Sequence, residues 1–230
     1  MTDITLSTKD GGAMGAYVAM PAVTPAPVVI VIQEIFGINA EIRQRCDNYA
    51  RDGFIAVAPD LFWRLEPGVQ LTDRTEAEWQ KAFDLYQRFA VDQGIEDLDA
   101  VATFFKNHED SNGKVGCVGF CLGGKLAYLM ACRTDIDAAV GYYGVEIDKF
   151  LSEAPGIKKP LMLHIAEEDK FVTHEQQEVV KAGLADHPQV TIYSYPGKGH
   201  AFSRIGGEAY CPETAATARS RSLAFLRDAL

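Results

Sequence analysis

Cys121 stands in Gly119-x-Cys121-x-Gly123, after the strand formers Val115 and Val118 and before an apolar helix start, Leu126 to Ala131. The apex of a sharp strand-to-helix turn holds its side chain clear of the sheet. Small flanking residues are needed there because the neighbouring chain passes close. The N–H groups that open the next helix lack intrahelical partners and can stabilise a developing negative charge. Such a turn seats a nucleophile, here a thiol in place of a hydroxyl. Three other readings fit the same residues. The glycines can mark tight strand–helix packing around a buried small hydrophobe. Gly119 and Gly124-Lys125 have phosphate-loop spacing, although Leu126 takes the place of the magnesium-binding Ser or Thr. A redox thiol is the third, without a Cys-x-x-Cys partner.

Three further reactive side chains each lie just after a predicted strand. Glu34 follows Val28 to Ile32, Asp169 follows Pro160 to Ala166, and His200 follows Val190 to Tyr195. Taken singly, each reads as an ordinary loop residue. Together they matter, because open α/β sheets bind ligands beyond the carboxyl ends of their strands. The chain order of nucleophile, acid and histidine is that of the α/β-hydrolase triad.

The elements that must position these groups alternate. Ile4 to Thr8 and Ala16 to Met20 flank Lys9-Asp10-Gly11-Gly12 as an opening hairpin. Asn39 caps a helix with Ile42, Cys46 and Tyr49 on one face. Phe54 to Ala58 is a buried strand, and Leu61 to Asp73 is irregular. Trp79, Phe83 and Tyr86, then Ile95, Leu98, Val101 and Phe105, mark two amphipathic helices whose aromatic stripe belongs in the core. Ala138 to Tyr143 is another strand, followed by a loop. Thr173 and Gln176 have the spacing of a capping box. Cys211-Pro212-Glu213 opens a closing helix with Leu223, Leu226 and Leu230 on one face. The expected architecture is α/β, an α/β-hydrolase fold with a mostly parallel central sheet and helices on both faces, as a single domain over 1–230.

With 47% hydrophobic and 23% charged residues, the composition is that of a globular protein. Against 32 acidic residues stand 22 basic ones, and the net charge of −10 argues against nucleic acid or an anionic membrane as partner. The five cysteines have no metal-ligand spacing, so no metal or cofactor is expected, and reduced thiols point to the cytoplasm. No signal peptide and no membrane-spanning run are evident.

The segments Gln33-Glu34-Ile35-Phe36-Gly37, Pro59-Asp60-Leu61, Asn112-Gly113-Lys114-Val115-Gly116, Gly119-Phe120-Cys121-Leu122-Gly123-Gly124, Gly141-Tyr142-Tyr143-Gly144 and Gly199-His200-Ala201-Phe202 resemble the dienelactone hydrolases, or carboxymethylenebutenolidases. The resemblance implies hydrolysis of an enol-lactone to maleylacetate, a step in degrading chloroaromatic compounds; the expected partner is a small lactone or ester, and the expected state a monomer. It implies Cys121 as nucleophile, His200 as base and then acid, and Asp169 as the group orienting His200. Ile35 and Leu122 would supply backbone N–H donors to the oxyanion. Glu34 matches the carboxylate beside the thiol, Arg204 matches its partner and a contact for the substrate carboxylate, and Tyr142 belongs to a matched substrate-side segment. One departure stands out. Trp79 falls where the family has a second carboxylate-binding arginine, leaving Arg74 or Arg64 as stand-ins. From another class, the competing reading is a non-catalytic or redox-sensing protein with Cys121 as its reactive thiol.

Overall fold

Val28-Val29-Ile30-Val31-Ile32 carries no polar side chain because both its faces are covered. In the computed structural model, which describes residues 2–230, all five are fully buried. They lie in β3 (Ala26–Ile32); the other strands are β1 (Thr2–Ser7), β2 (Ala13–Ala19), β4 (Ile55–Pro59), β5 (Ser111–Phe120), β6 (Ala138–Tyr142), β7 (Leu161–Ala166) and β8 (Val190–Tyr195). The eight-stranded sheet has the order β1-β2-β4-β3-β5-β6-β7-β8. β1 and β2 form the expected hairpin, Ser7 opposite Ala13, and β2 runs antiparallel to β4. β3 with β4, β6 with β7, and β7 with β8 are parallel, as strand–helix alternation requires. The chain divides into two compact units, Met1–Cys117 and Val118–Leu230.

In the first unit, α1 (Ala40–Arg51) buries Ile42, Cys46 and Tyr49, and Asn39 Oδ1 accepts from the N–H groups of Glu41 and Ile42, each at 3.2 Å. Such a cap contributes about 1 kcal/mol. α3 (Val91–Lys106) buries Ile95, Leu98, Val101 and Phe105, the face its periodicity indicates. α2 (Glu76–Arg88) departs from expectation: it buries Ala82 and Leu85, while Phe83 is 37% exposed. Its aromatic stripe is a surface cluster. Trp79 and Phe83 stack with centroids 5.5 Å apart, and Trp79 meets Phe36 edge-on at 5.0 Å. The rings cover one another, which satisfies much of their hydrophobicity outside the core.

In the second unit, α4 (Leu122–Arg133) is buried on every side from Leu122 to Ala131, so it shows no polar face in the sequence. α5 (His174–Leu184) opens with the expected Thr173–Gln176 capping box. The segment after β6 is not a plain loop but a 3-10 helix, Ile147–Gly156, too short and irregular for a periodic signature. α6 (Pro212–Ala229) buries Ala218, Ser222 and Leu226, while Leu223 and Leu230 are half-buried. A buried serine on that face signals a polar partner.

Candidate active site

Cys121 directly follows β5 and is held at φ 55°, ψ −112°. A non-glycine residue there stores about 1–3 kcal/mol of strain, which the surrounding chain must offset. The flanking glycines are demanded by space. A Cβ on Gly119 would lie 1.8 Å from the Gly123 carbonyl oxygen, and one on Gly124 would lie 2.5 Å from that of Tyr142. The Cys121 N–H donates to the Tyr142 carbonyl at 3.1 Å, and the Cys121 carbonyl accepts from Gly124 at 3.0 Å and Lys125 at 3.2 Å. Backbone bonds on both sides therefore fix the turn. The side chain remains at the margin of burial, the residue being 8% exposed.

His200 Nδ1 and Asp169 Oδ2 are 2.7 Å apart, with side chains 7% and 1% exposed. Asp169 is itself aimed: its Oδ1 accepts from the N–H groups of Phe171 at 2.8 Å and Val172 at 3.2 Å. Phe171 sets its ring edge-on against the imidazole at 4.8 Å, and Tyr143 lies 5.0 Å away. The His200 pKa is raised to about 10. Burial, the largest single influence, pulls it down; the charge of Cys121 and the Asp169 hydrogen bond lead the influences that outweigh it. His200 Nε2 is buried without a hydrogen bond of full geometry, so we ascribe the sulfur's effect chiefly to charge. With Asp169 holding Nδ1–H, Nε2 is the nitrogen left to exchange a proton with a thiol or a water.

Among the described residues, the non-glycine positions at positive φ are Cys121, Tyr143 (37°), Glu146 (59°) and Ala201 (62°). Backbone strain thus collects at the cysteine, beside the histidine and in the loop after β6. That loop decides between two tyrosines. Tyr142, expected on the substrate side, turns inward: its hydroxyl meets Ser222 Oγ at 2.7 Å and its ring packs 4.2 Å from His164. Tyr143, which the sequence did not single out, faces His200, and its hydroxyl meets Ser203 Oγ at 2.9 Å. Strict strand alternation gives no warning of this, because the chain leaves β-geometry at Tyr143 itself.

Leu122 is the first residue of α4, where helix N–H groups lack intrahelical partners. Arg204 is buried, its N–H bonded to the Ala201 carbonyl at 2.9 Å in the turn after His200. Lys125 is 3% exposed and engages Glu146 at 2.7 Å, so it is not presented to a phosphate. In the first unit, Glu34 is 3% exposed and Ile35 is buried, both just beyond β3. Gln33 braces this corner, donating to the Glu34 carbonyl at 3.3 Å and accepting from the Leu61 N–H at 3.2 Å. Trp79 Nε1 donates to the Asp73 carbonyl at 3.0 Å. Of the possible stand-ins, Arg64 is committed to Asp97 at 2.8 Å and Asp10 at 2.6 Å; Arg74 is exposed. No helix among the described residues is long and apolar enough to cross a membrane.

A mostly parallel sheet flanked by helices, with a strained residue at a strand-to-helix elbow, defines an α/β-hydrolase. The chain belongs to the dienelactone hydrolase family, whose model matches residues 14–230. A relative in Azospirillum brasilense is 46% identical over the whole of both chains. The carboxymethylenebutenolidase of Pseudomonas putida is 39% identical, with 97% of this chain and 94% of the relative covered. A solved chain from Klebsiella pneumoniae superposes with a TM-score of 0.85 at 28% identity, covering 98% of each.

Proposed function

We propose that the chain is a cysteine hydrolase that opens small lactones of the dienelactone type through a thioester. One observation supports this above the others. Cys121 sits at a strained elbow and couples electrostatically to a histidine that is itself bound to a buried aspartate. The thiolate of Cys121 attacks the lactone carbonyl, forming the C–S bond. The oxyanion rests on the N–H of Leu122 and, by the resemblance, that of Ile35. Collapse breaks the ring C–O bond, and the oxygen leaves as a stabilised enolate, so the thiol need not expel a poor leaving group. His200, which holds the proton taken from the Cys121 thiol, gives it to the departing enolate. It then takes a proton from water as the hydroxide attacks the thioester, and the sulfur departs as thiolate while the new acid loses its proton. Carboxylate product and Cys121 are regenerated, with no redox change.

For the remaining residues, family likeness supports the assignment. Glu34 is, by that likeness, the carboxylate that regulates the thiol. Arg204 receives a substrate carboxylate. Trp79 in place of a second arginine leaves that carboxylate less rigidly held, and it favours less polar lactones or esters. Cys121→Ala is expected to abolish hydrolysis of an enol-lactone and of p-nitrophenyl acetate while far-UV circular dichroism stays native. Undiminished turnover in that variant would end the proposal. A redox sensor would instead show peroxide-reversible modification of Cys121 with no lactone turnover.

A further inference from the structure

His164 is a buried titratable group in the second unit that the proposed chemistry does not use. It lies in β7, where every neighbouring position is apolar, and it is 1% exposed. Its Nε2 is 2.9 Å from Ser222 Oγ, and its Nδ1 is 2.7 Å from the Tyr195 hydroxyl. Ser222 Oγ also lies 2.7 Å from the Tyr142 hydroxyl and 3.1 Å from the Ala218 carbonyl. Arg221 Nη1 donates to the Tyr195 oxygen at 3.2 Å.

The protons of this chain have one arrangement that satisfies every group. A carbonyl only accepts, so Ser222 gives its single proton to Ala218. Ser222 must then accept from both Tyr142 and His164 Nε2–H. A neutral imidazole with Nε2–H accepts at Nδ1, and Tyr195 supplies that proton while accepting from Arg221. The reverse tautomer would have Tyr195 accept from both His164 and Arg221 and leave the Tyr195 hydroxyl hydrogen without a partner. An unmet buried group of this kind is costly. The charged and titratable groups facing His164 are Arg221, Tyr142, Tyr193 and Tyr195. Burial, then the Arg221 charge, lowers its pKa to about 3, in keeping with a neutral ring.

This chain ends on the elbow. Tyr142, fixed at its hydroxyl by Ser222, offers its carbonyl to the Cys121 N–H; the carbonyl of His164 takes the N–H of Tyr143, whose ring abuts His200. We propose that His164, as the neutral Nε2–H tautomer, is a positioning residue that sets the Cys121 elbow and Tyr143 through Ser222 and Tyr142. The inference rests on Cys121 being the nucleophile. It asks binding of substrate to be indifferent to the network and the chemical step to depend on it.

Two measurements on the full chain test it. Nitrogen-15 NMR of labelled imidazoles is expected to show His164 as the neutral Nε2–H tautomer from about pH 5 to about 9. An Nδ1–H tautomer or an imidazolium would overturn the proposal. Tyr142→Phe and Ser222→Ala are expected to lower kcat for p-nitrophenyl acetate about tenfold at unchanged KM, with folded content verified by circular dichroism. Unchanged kcat in both folded variants, or a change confined to KM, would equally overturn it. Failure of the nucleophile reading is separate, because it shows as turnover surviving Cys121→Ala and leaves the tautomer measurement intact.

Discussion

The raised pKa of His200 has a definite dependence on its neighbour. Burial alone would depress it below the ordinary 6.5; the Cys121 charge leads the opposing influences, with Asp169 next. Removing the sulfur therefore leaves the depressing influence facing Asp169 alone. Titration of His200 by NMR is expected to show a midpoint near 10 in the native protein and a clearly lower one in Cys121→Ala. A midpoint that does not move would mean that sulfur and imidazole do not interact. Asp169→Asn should be as damaging as loss of a base. It abolishes the acceptor for Nδ1–H and turns a donor toward the ring, so kcat/KM is expected to fall by about 10⁴. A loss of less than about tenfold would show that His200 is oriented by something other than Asp169.

Among the elements, the elbow is the one that tolerates least. Gly119→Ala places a methyl group 1.8 Å from a carbonyl oxygen and must displace backbone on one side. Urea unfolding is expected to show a loss of about 3 kcal/mol or more. Gly15→Ala, in β2 with nothing within 4 Å of the added carbon, is the control; its stability is expected to hold or rise by up to about 1 kcal/mol. Equal losses in both would mean that the strand-to-helix turn is not tightly enclosed. This tightness is why the elbow was readable at all: only glycine fits at positions 119 and 124, and that need leaves a glycine-rich run around Cys121 in the sequence. The Asn39 cap and the Thr173–Gln176 box were legible for a similar reason, each being a local bond between near neighbours. What stayed hidden depends on partners far along the chain. Trp79 and Phe83 have core-like spacing, yet they cover each other and Phe36 at the surface. Ser222 is buried because His164, 58 residues away, meets it. Tyr143 rather than Tyr142 faces His200 because the backbone turns at φ 37°, which no side-chain pattern reports.

For the whole molecule, the order of Cys121, Asp169 and His200 carried the architecture as well as the chemistry, since each follows a strand that lies where the alternation of elements puts it. Substrate choice is less legible. Arg64 is engaged by Asp97 and Asp10, so it is not available to replace an arginine at the Trp79 position. Across a panel of lactones with and without a carboxylate, Trp79→Arg is expected to shift kcat/KM toward carboxylated members by about tenfold relative to the wild type. No shift would place Trp79 outside substrate recognition. The most direct measurement is rapid-quench mass spectrometry of the enzyme mixed with an enol-lactone. The account predicts a transient acyl mass on the peptide bearing Cys121, appearing and decaying at rates compatible with turnover. Steady turnover with no acyl group ever found on that peptide would contradict it.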